Sequence, residues 1–130
     1  MHRDELDAIS NRTIGAAYRV HSTLGPGMLE TAYRACLVHE LRLSGLEVRA
    51  EVPVPLIYKD IKLADVGYRM DLLVEGELVV EIKSLERIAP VHVAQLVSYL
   101  KLADKRLGLL FNFNVASLSE GGIFRRVHKF

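Results

Sequence analysis

The sequence contains no tryptophan and a single cysteine, Cys36. One thiol excludes a disulfide framework within the chain, and it excludes a zinc or iron–sulfur site built on several cysteines. No apolar run is longer than a few residues, far short of the roughly 20 needed to span a bilayer. The opening Met1-His2-Arg3-Asp4-Glu5 is charged and has no apolar stretch behind it, unlike a secretory signal. An excess of one charge is also missing: 17 Lys and Arg face 16 Asp and Glu, for a net +1. Composition alone therefore gives no strong affinity for polyanions, although a local basic face remains open. Aromatic residues make up only 7%, too few to suggest a base-stacking platform of the single-strand-binding kind.

What is present reads as one domain over residues 1–130, half apolar and a quarter charged. A chain of this length buries roughly two-thirds of its unfolded surface and needs no staples. A cytoplasmic protein is the expectation. The spacing of Leu6, Ile9, Ala17, Val20 and Leu24 predicts a helix from about Asp4 to Leu24. Gly25-Pro26-Gly27 ends it, and a second helix is expected from about Met28 to Leu41, stopping near Ser44-Gly45. The period then changes to two. Val48 to Tyr58 reads as a strand that Pro53 and Pro55 confine to an edge or a bulge. A short strand Ile61–Leu63 and two stronger ones, Gly67–Val74 and Leu78–Ser84, should follow. Pro90 opens a helix to Ala103, and strands Leu107–Asn112 and Ile123–His128 close the chain. This order predicts an α/β (α+β) fold with a mixed central sheet flanked by helices.

The chemistry concentrates on two strands. Asp71 is followed ten positions later by Glu81-Ile82-Lys83. Two carboxylates on neighbouring strands suit a hard divalent cation such as Mg²⁺, which prefers oxygen ligands and keeps several waters. Glu81 and Lys83 are two apart and share a sheet face. Asp71 lies opposite Glu81 only if Glu75, Gly76 and Glu77 form a three-residue loop or a bulge compensates; a plain two-residue turn would turn Glu81 away. The bland alternative is three solvated strand charges. The neighbouring Leu72-Leu73-Val74 and Leu78-Val79-Val80 argue against it, because such runs belong to strands covered on both faces.

The run Gly27-Met28-Leu29-Glu30-Thr31-Ala32-Tyr33 resembles the Gly-x-x-Glu-x-x-Tyr pattern of the GxxExxY proteins, small members of the PD-(D/E)XK nuclease superfamily. Gln95-Leu96-Val97-Ser98-Tyr99 is similar to the Gln-x-x-x-Tyr element of RecB-type nucleases. The likeness covers nearly the whole chain, with Met70 standing where the superfamily's name has Pro. It implies a restriction-endonuclease-like αβββαβ core and a Mg²⁺- or Mn²⁺-dependent nuclease that hydrolyses phosphodiester bonds of DNA. By this resemblance Asp71 and Glu81 hold the metal, with the backbone carbonyl of Ile82 as a third ligand. Lys83 would orient or deprotonate the attacking water. Glu30 would bind the metal directly, through water or at a second ion; otherwise it is a helix-start carboxylate or the i, i+4 partner of Arg34. Tyr33 either positions Glu30 or a phosphate, or is a core tyrosine. Gln95 and Tyr99, on one helix face, either support Lys83 and the DNA backbone or simply pack.

The five histidines show no ligand spacing, and Cys36 sits among apolar residues. Basic residues gather in the C-terminal third, where Lys101, Lys105, Arg125 and Arg126 would form a phosphate-binding rim beside the site. A homodimer would double that rim. The alternative to a nuclease is a nuclease-fold module that binds nucleic acid or a partner without cutting.

Overall fold

The computed structural model describes residues 1–129. Eight elements follow in order: α1 (Arg3–Leu24), α2 (Glu30–Leu43), β1 (Val48–Tyr58), β2 (Ile61–Val74), β3 (Leu78–Lys83), α3 (Pro90–Ala103), β4 (Leu107–Asn112) and β5 (Ile123–Val127). The strands form one sheet in sequence order. All neighbours are antiparallel except β3 and β4, which are parallel because α3 carries the chain back across the sheet between them. The expected mixed sheet flanked by helices is what forms. Among the described residues no helix is long and apolar enough to cross a membrane.

The sheet is covered on both faces, which explains its unbroken apolar runs. Leu72, Val74, Leu78, Val80, Ile82, Leu109 and Phe111 pack with α1 and α2. On the opposite face Leu73, Val79 and Leu110 pack under Leu96, Tyr99 and Leu100 of α3. Close contact there requires glycine at position 108, where a Cβ would sit 2.8 Å from Leu96 Cδ1.

Two expected boundaries change. The strands Ile61–Leu63 and Gly67–Val74 are one strand, β2, because β1 pairs along its whole length. Register shifts between Val54 and Ile57 accommodate the extra residues around Asp65 to Gly67, which no turn signature announces. Gly67 packs against Leu56 so tightly that an added Cβ would meet Leu56 Cβ at 2.9 Å. Helix α2 starts at Glu30 rather than Met28 because the backbone of Met28 is engaged elsewhere. Its N–H donates to Tyr33 Oη at 3.1 Å, and its carbonyl accepts from Ser84 Oγ at 2.7 Å. Tyr33 Oη in turn donates to the Gly25 carbonyl at 2.6 Å.

The Gly25–Leu29 turn is thus tied to both α2 and the end of β3. Tyr33 is fully buried, its ring stacked on Phe113 with centroids 4.6 Å apart. Replacing Tyr33 with Phe keeps the ring but leaves the Gly25 carbonyl and Met28 amide without their partner. Chemical denaturation should show a loss of about 1–3 kcal/mol. A variant as stable as the wild type would mean that the turn is not held by this hydroxyl.

Candidate active site

The site forms where β2 and β3 part. Their ladder pairs Val74 with Leu78, Leu73 with Val79 and Leu72 with Val80, around a Glu75–Glu77 loop closed by a 3.0 Å bond from the Glu77 N–H to the Val74 carbonyl. This is the three-residue loop that the Asp71–Glu81 juxtaposition requires. At the next position side chains replace the ladder. The Asp71 N–H donates to Glu81 Oε2 and the Ile82 N–H donates to Asp71 Oδ2, both at 2.7 Å. Each carboxylate caps the amide that strand divergence leaves free on the other strand.

The same point is a kink in the β1–β2 ribbon. Val48, Leu72 and Val74 face α1 and α2, whereas Val52, Val54 and Met70 face α3. Strict alternation would keep these even-numbered residues on one side. The switch falls between the pairs Ala50–Leu72 and Val52–Met70, where Glu51 adopts φ 53°. Asp71 sits at this switch and reaches groups from both layers. Arg34 of α2 places Nη1 3.8 Å from Asp71 Oδ1 and Nη2 3.6 Å from Glu51 Oε1.

Burial dominates the electrostatics. Glu81 is only 3% exposed. Burial, reinforced by the Asp71 charge, pushes its carboxyl up to about 8, against the smaller opposing effects of the Asp71 amide and Lys83. Asp71 is also raised, chiefly by burial and further by Glu30, despite its bond from the Ile82 amide and the nearby Lys83 and Arg34 cations. Glu30, the first residue of α2, is therefore close enough to act on Asp71 through space. Among the described residues, however, no three acidic, His or Cys side chains gather into one metal-binding cluster. Two carboxylates, each with one oxygen on a backbone amide, still fit a cation that keeps most of its water shell.

A family model of the PD-(D/E)XK nuclease superfamily matches residues 7–127. The chain belongs to the PD-(D/E)XK nuclease superfamily. No curated protein and no solved structure matches it. Mixed sheet and helices agree with the restriction-endonuclease-like fold of this superfamily. Met70, where the superfamily's name has Pro, is a buried residue on the α3 side of the ribbon.

The other expected residues divide into two groups. Tyr99 lies on α3, near the carboxylates. Burial first, then the charges of Glu81 and Asp71, push its phenol up to about 12. Gln95 lines a surface cleft with it. Tyr33 acts within the core, holding the turn from which Glu30 emerges. The basic rim is dispersed instead of standing beside the carboxylates. Lys101 lies in the last turn of α3 and Lys105 just before β4. Along β3 and β4 the pair Leu78–Leu107 marks that end and Lys83–Asn112 the site end, roughly 16 Å away at strand rise. Arg125 is held 2.9 Å from Asp7 of α1, and Arg126 lies on edge strand β5 beside the first turn of α3.

Two roles go unnoticed in the sequence. Arg34 supplies the guanidinium on Asp71, although its spacing suggested only a pair with Glu30. Asn112 is buried, and its side chain accepts from the Leu85 N–H and donates to the Leu85 carbonyl, both at 3.0 Å. It thereby clamps the segment just after Lys83. His92 caps α3, its Nδ1 accepting from the Ala89 N–H at 2.9 Å.

A carboxyl raised in the folded state stabilises that state while both forms hold the proton, and the benefit is lost as pH rises through the folded value. The metal-free protein should be most stable below about pH 4.5 with respect to Glu81 and lose stability up to about pH 8. The loss should be on the order of a few kcal/mol. Glu81→Gln should flatten this slope and exceed the wild type in stability above pH 8. Urea titrations in chelator across this range check it; parallel wild-type and variant curves would refute the buried ionisation.

Proposed function

We propose that this protein is a Mg²⁺- or Mn²⁺-dependent nuclease that hydrolyses phosphodiester bonds of DNA, a small nuclease of the GxxExxY type. The observation that carries this reading is the Asp71–Glu81 pair, crossed onto each other's backbone amides with Lys83 on the same strand as Glu81. Capping the two amides needs only neutral acceptors, so that structural role gives no reason to bury two like charges side by side. Asp71 and Glu81 would hold the cation, with the Ile82 carbonyl and, through water, Glu30 as further ligands. When bound, the cation supplies Lewis-acid polarisation of a phosphoryl oxygen and a water of lowered pKa.

The chain's own residues do the rest. Lys83 orients the attacking water and balances charge developing on the phosphate. Asn112 and Ser84 hold the strand end on which Lys83 sits, so the ammonium has a fixed origin. Arg34 neutralises Asp71 from the α2 side while Glu30 extends from the tied Gly25–Leu29 turn. Gln95 and Tyr99 present a polar helix face next to the carboxylates and support the substrate strand.

Labelled DNA and RNA of single-stranded, duplex and branched form, incubated with Mg²⁺ or Mn²⁺, test the reading. Asp71→Ala and Glu81→Ala should abolish cleavage while the fold is kept, because each loses an acceptor for a backbone amide but also relieves repulsion between neighbouring carboxylates. Lys83→Ala should still bind the cation by calorimetry yet cleave on the order of 10²-fold more slowly. Cleavage that survives Glu81→Ala, or a Lys83→Ala rate equal to the wild type, would overturn the assignment.

A further inference from the structure

Beside the carboxylates the kinked ribbon and α3 enclose a cleft of about 260 Å³, lined by Tyr68, Val91, Ala94, Gln95, Ser98 and Tyr99. Not one of these side chains carries a charge at neutral pH, which sets the cleft apart from the acidic pair next to it. Tyr68 is 45% exposed although its ring contacts Tyr99, with centroids 5.6 Å apart and planes at 56°. An aromatic ring left half open within a cleft, fixed by a second ring behind it, has a free face to offer. Val91 is 67% exposed and extends the apolar wall toward solvent. Gln95 and Ser98 add an amide and a hydroxyl, groups that both donate and accept.

We propose that this cleft is a subsite for one unpaired nucleobase of the substrate, stacked on Tyr68 and hydrogen-bonded by Gln95 and Ser98; it rests on the nuclease reading and narrows it to single-stranded or frayed substrates. A phosphate would find no cation in the lining, whereas a neutral planar ring with polar edges matches both the aromatic wall and the amide. Only an unstacked base can present its face to Tyr68; a base within a duplex presents edges alone. Position supports the same assignment. Tyr68 precedes Asp71 by three residues on β2, roughly 10 Å of strand, so the held base and the phosphate at the carboxylates belong to neighbouring nucleotides. The switch of facing at Glu51 and Asp71 creates the arrangement, because it turns this arm of the ribbon toward α3. Few aromatics are needed, since a single stacked base contributes about 1–3 kcal/mol.

Fluorescence anisotropy on the full chain, with Ca²⁺ in place of Mg²⁺, measures binding of short oligodeoxythymidine and of a duplex of equal length. Tyr68→Ala should weaken single-strand binding roughly 10-fold and reduce the preference for single strand over duplex in proportion. Tyr68→Phe, which keeps the ring, should restore both. Val91→Asp is a second variant at an exposed position that cannot disturb the core; its carboxylate in the cleft should weaken single-strand binding as well. Unchanged single-strand affinity in Tyr68→Ala and Val91→Asp, or an equal loss for single strand and duplex, would overturn the base subsite. The nuclease reading would then still stand on Asp71- and Glu81-dependent cleavage. A wild type that neither binds nor cleaves any of these probes would overturn both.

Discussion

Two hydrogen bonds of 2.7 Å, each from a backbone amide of one strand to a carboxylate of the other, hold the centre of this molecule together. A sheet whose strands separate leaves amides without ladder partners, and burying them unpaired would cost free energy. Asp71 and Glu81 supply the missing acceptors. The strands can therefore diverge without an unsatisfied amide, and in diverging they open the space in which two acidic side chains lie side by side. A structural need and a chemical capacity are met by the same four atoms.

The rest of the fold serves that point from several directions. From one side α2 brings Arg34 onto Asp71, and the turn before it is pinned by Tyr33 and Ser84 so that Glu30 starts from a fixed place. From behind, Asn112 at the end of β4 holds the segment that leaves Lys83. From the other face α3 closes down on Gly108, near enough for Tyr99 to feel both carboxylates. Each of these supports is buried or half-buried, so the low-dielectric setting that raises the two carboxyls follows from the packing itself. Burying two carboxylates side by side is costly, and the surrounding core stabilises them.

The ribbon's change of facing at Glu51 links site and cleft. Strain at a non-glycine residue with φ 53° is tolerated here because both neighbouring pairs of the ladder are intact. It lets one continuous hairpin cover two layers: its root packs under α1 and α2, and its arm packs against α3. Without that switch Asp71 would face a single layer and Tyr68 would not meet Tyr99.

Much of this was written in local pattern. Gly25-Pro26-Gly27, the period-two run after Gly45 and Pro90 each act within a few residues, so elements and their order follow from the chain alone. The Glu75-Gly76-Glu77 loop is also local, and because side chains alternate, its length settles that Asp71 faces Glu81. Other features depend on residues distant in sequence. The union of two expected strands into β2 depends on pairing with β1, the anchoring of Asn112 on a loop 27 positions earlier, and the pairing of Arg34 with Asp71 on how α2 lies across the sheet. The scattering of Lys101, Lys105, Arg125 and Arg126 has the same origin. Nearness in sequence says nothing of which end of a strand a residue occupies, and a crossover helix runs from one end of its parallel strands to the other. Short-range periodicity and turn geometry set the order of the elements and the acidic pair within the chain; the pair's depth, its guanidinium partner and the neighbouring cleft arise only once the layers have packed, because burial and long-range contact do not exist before then.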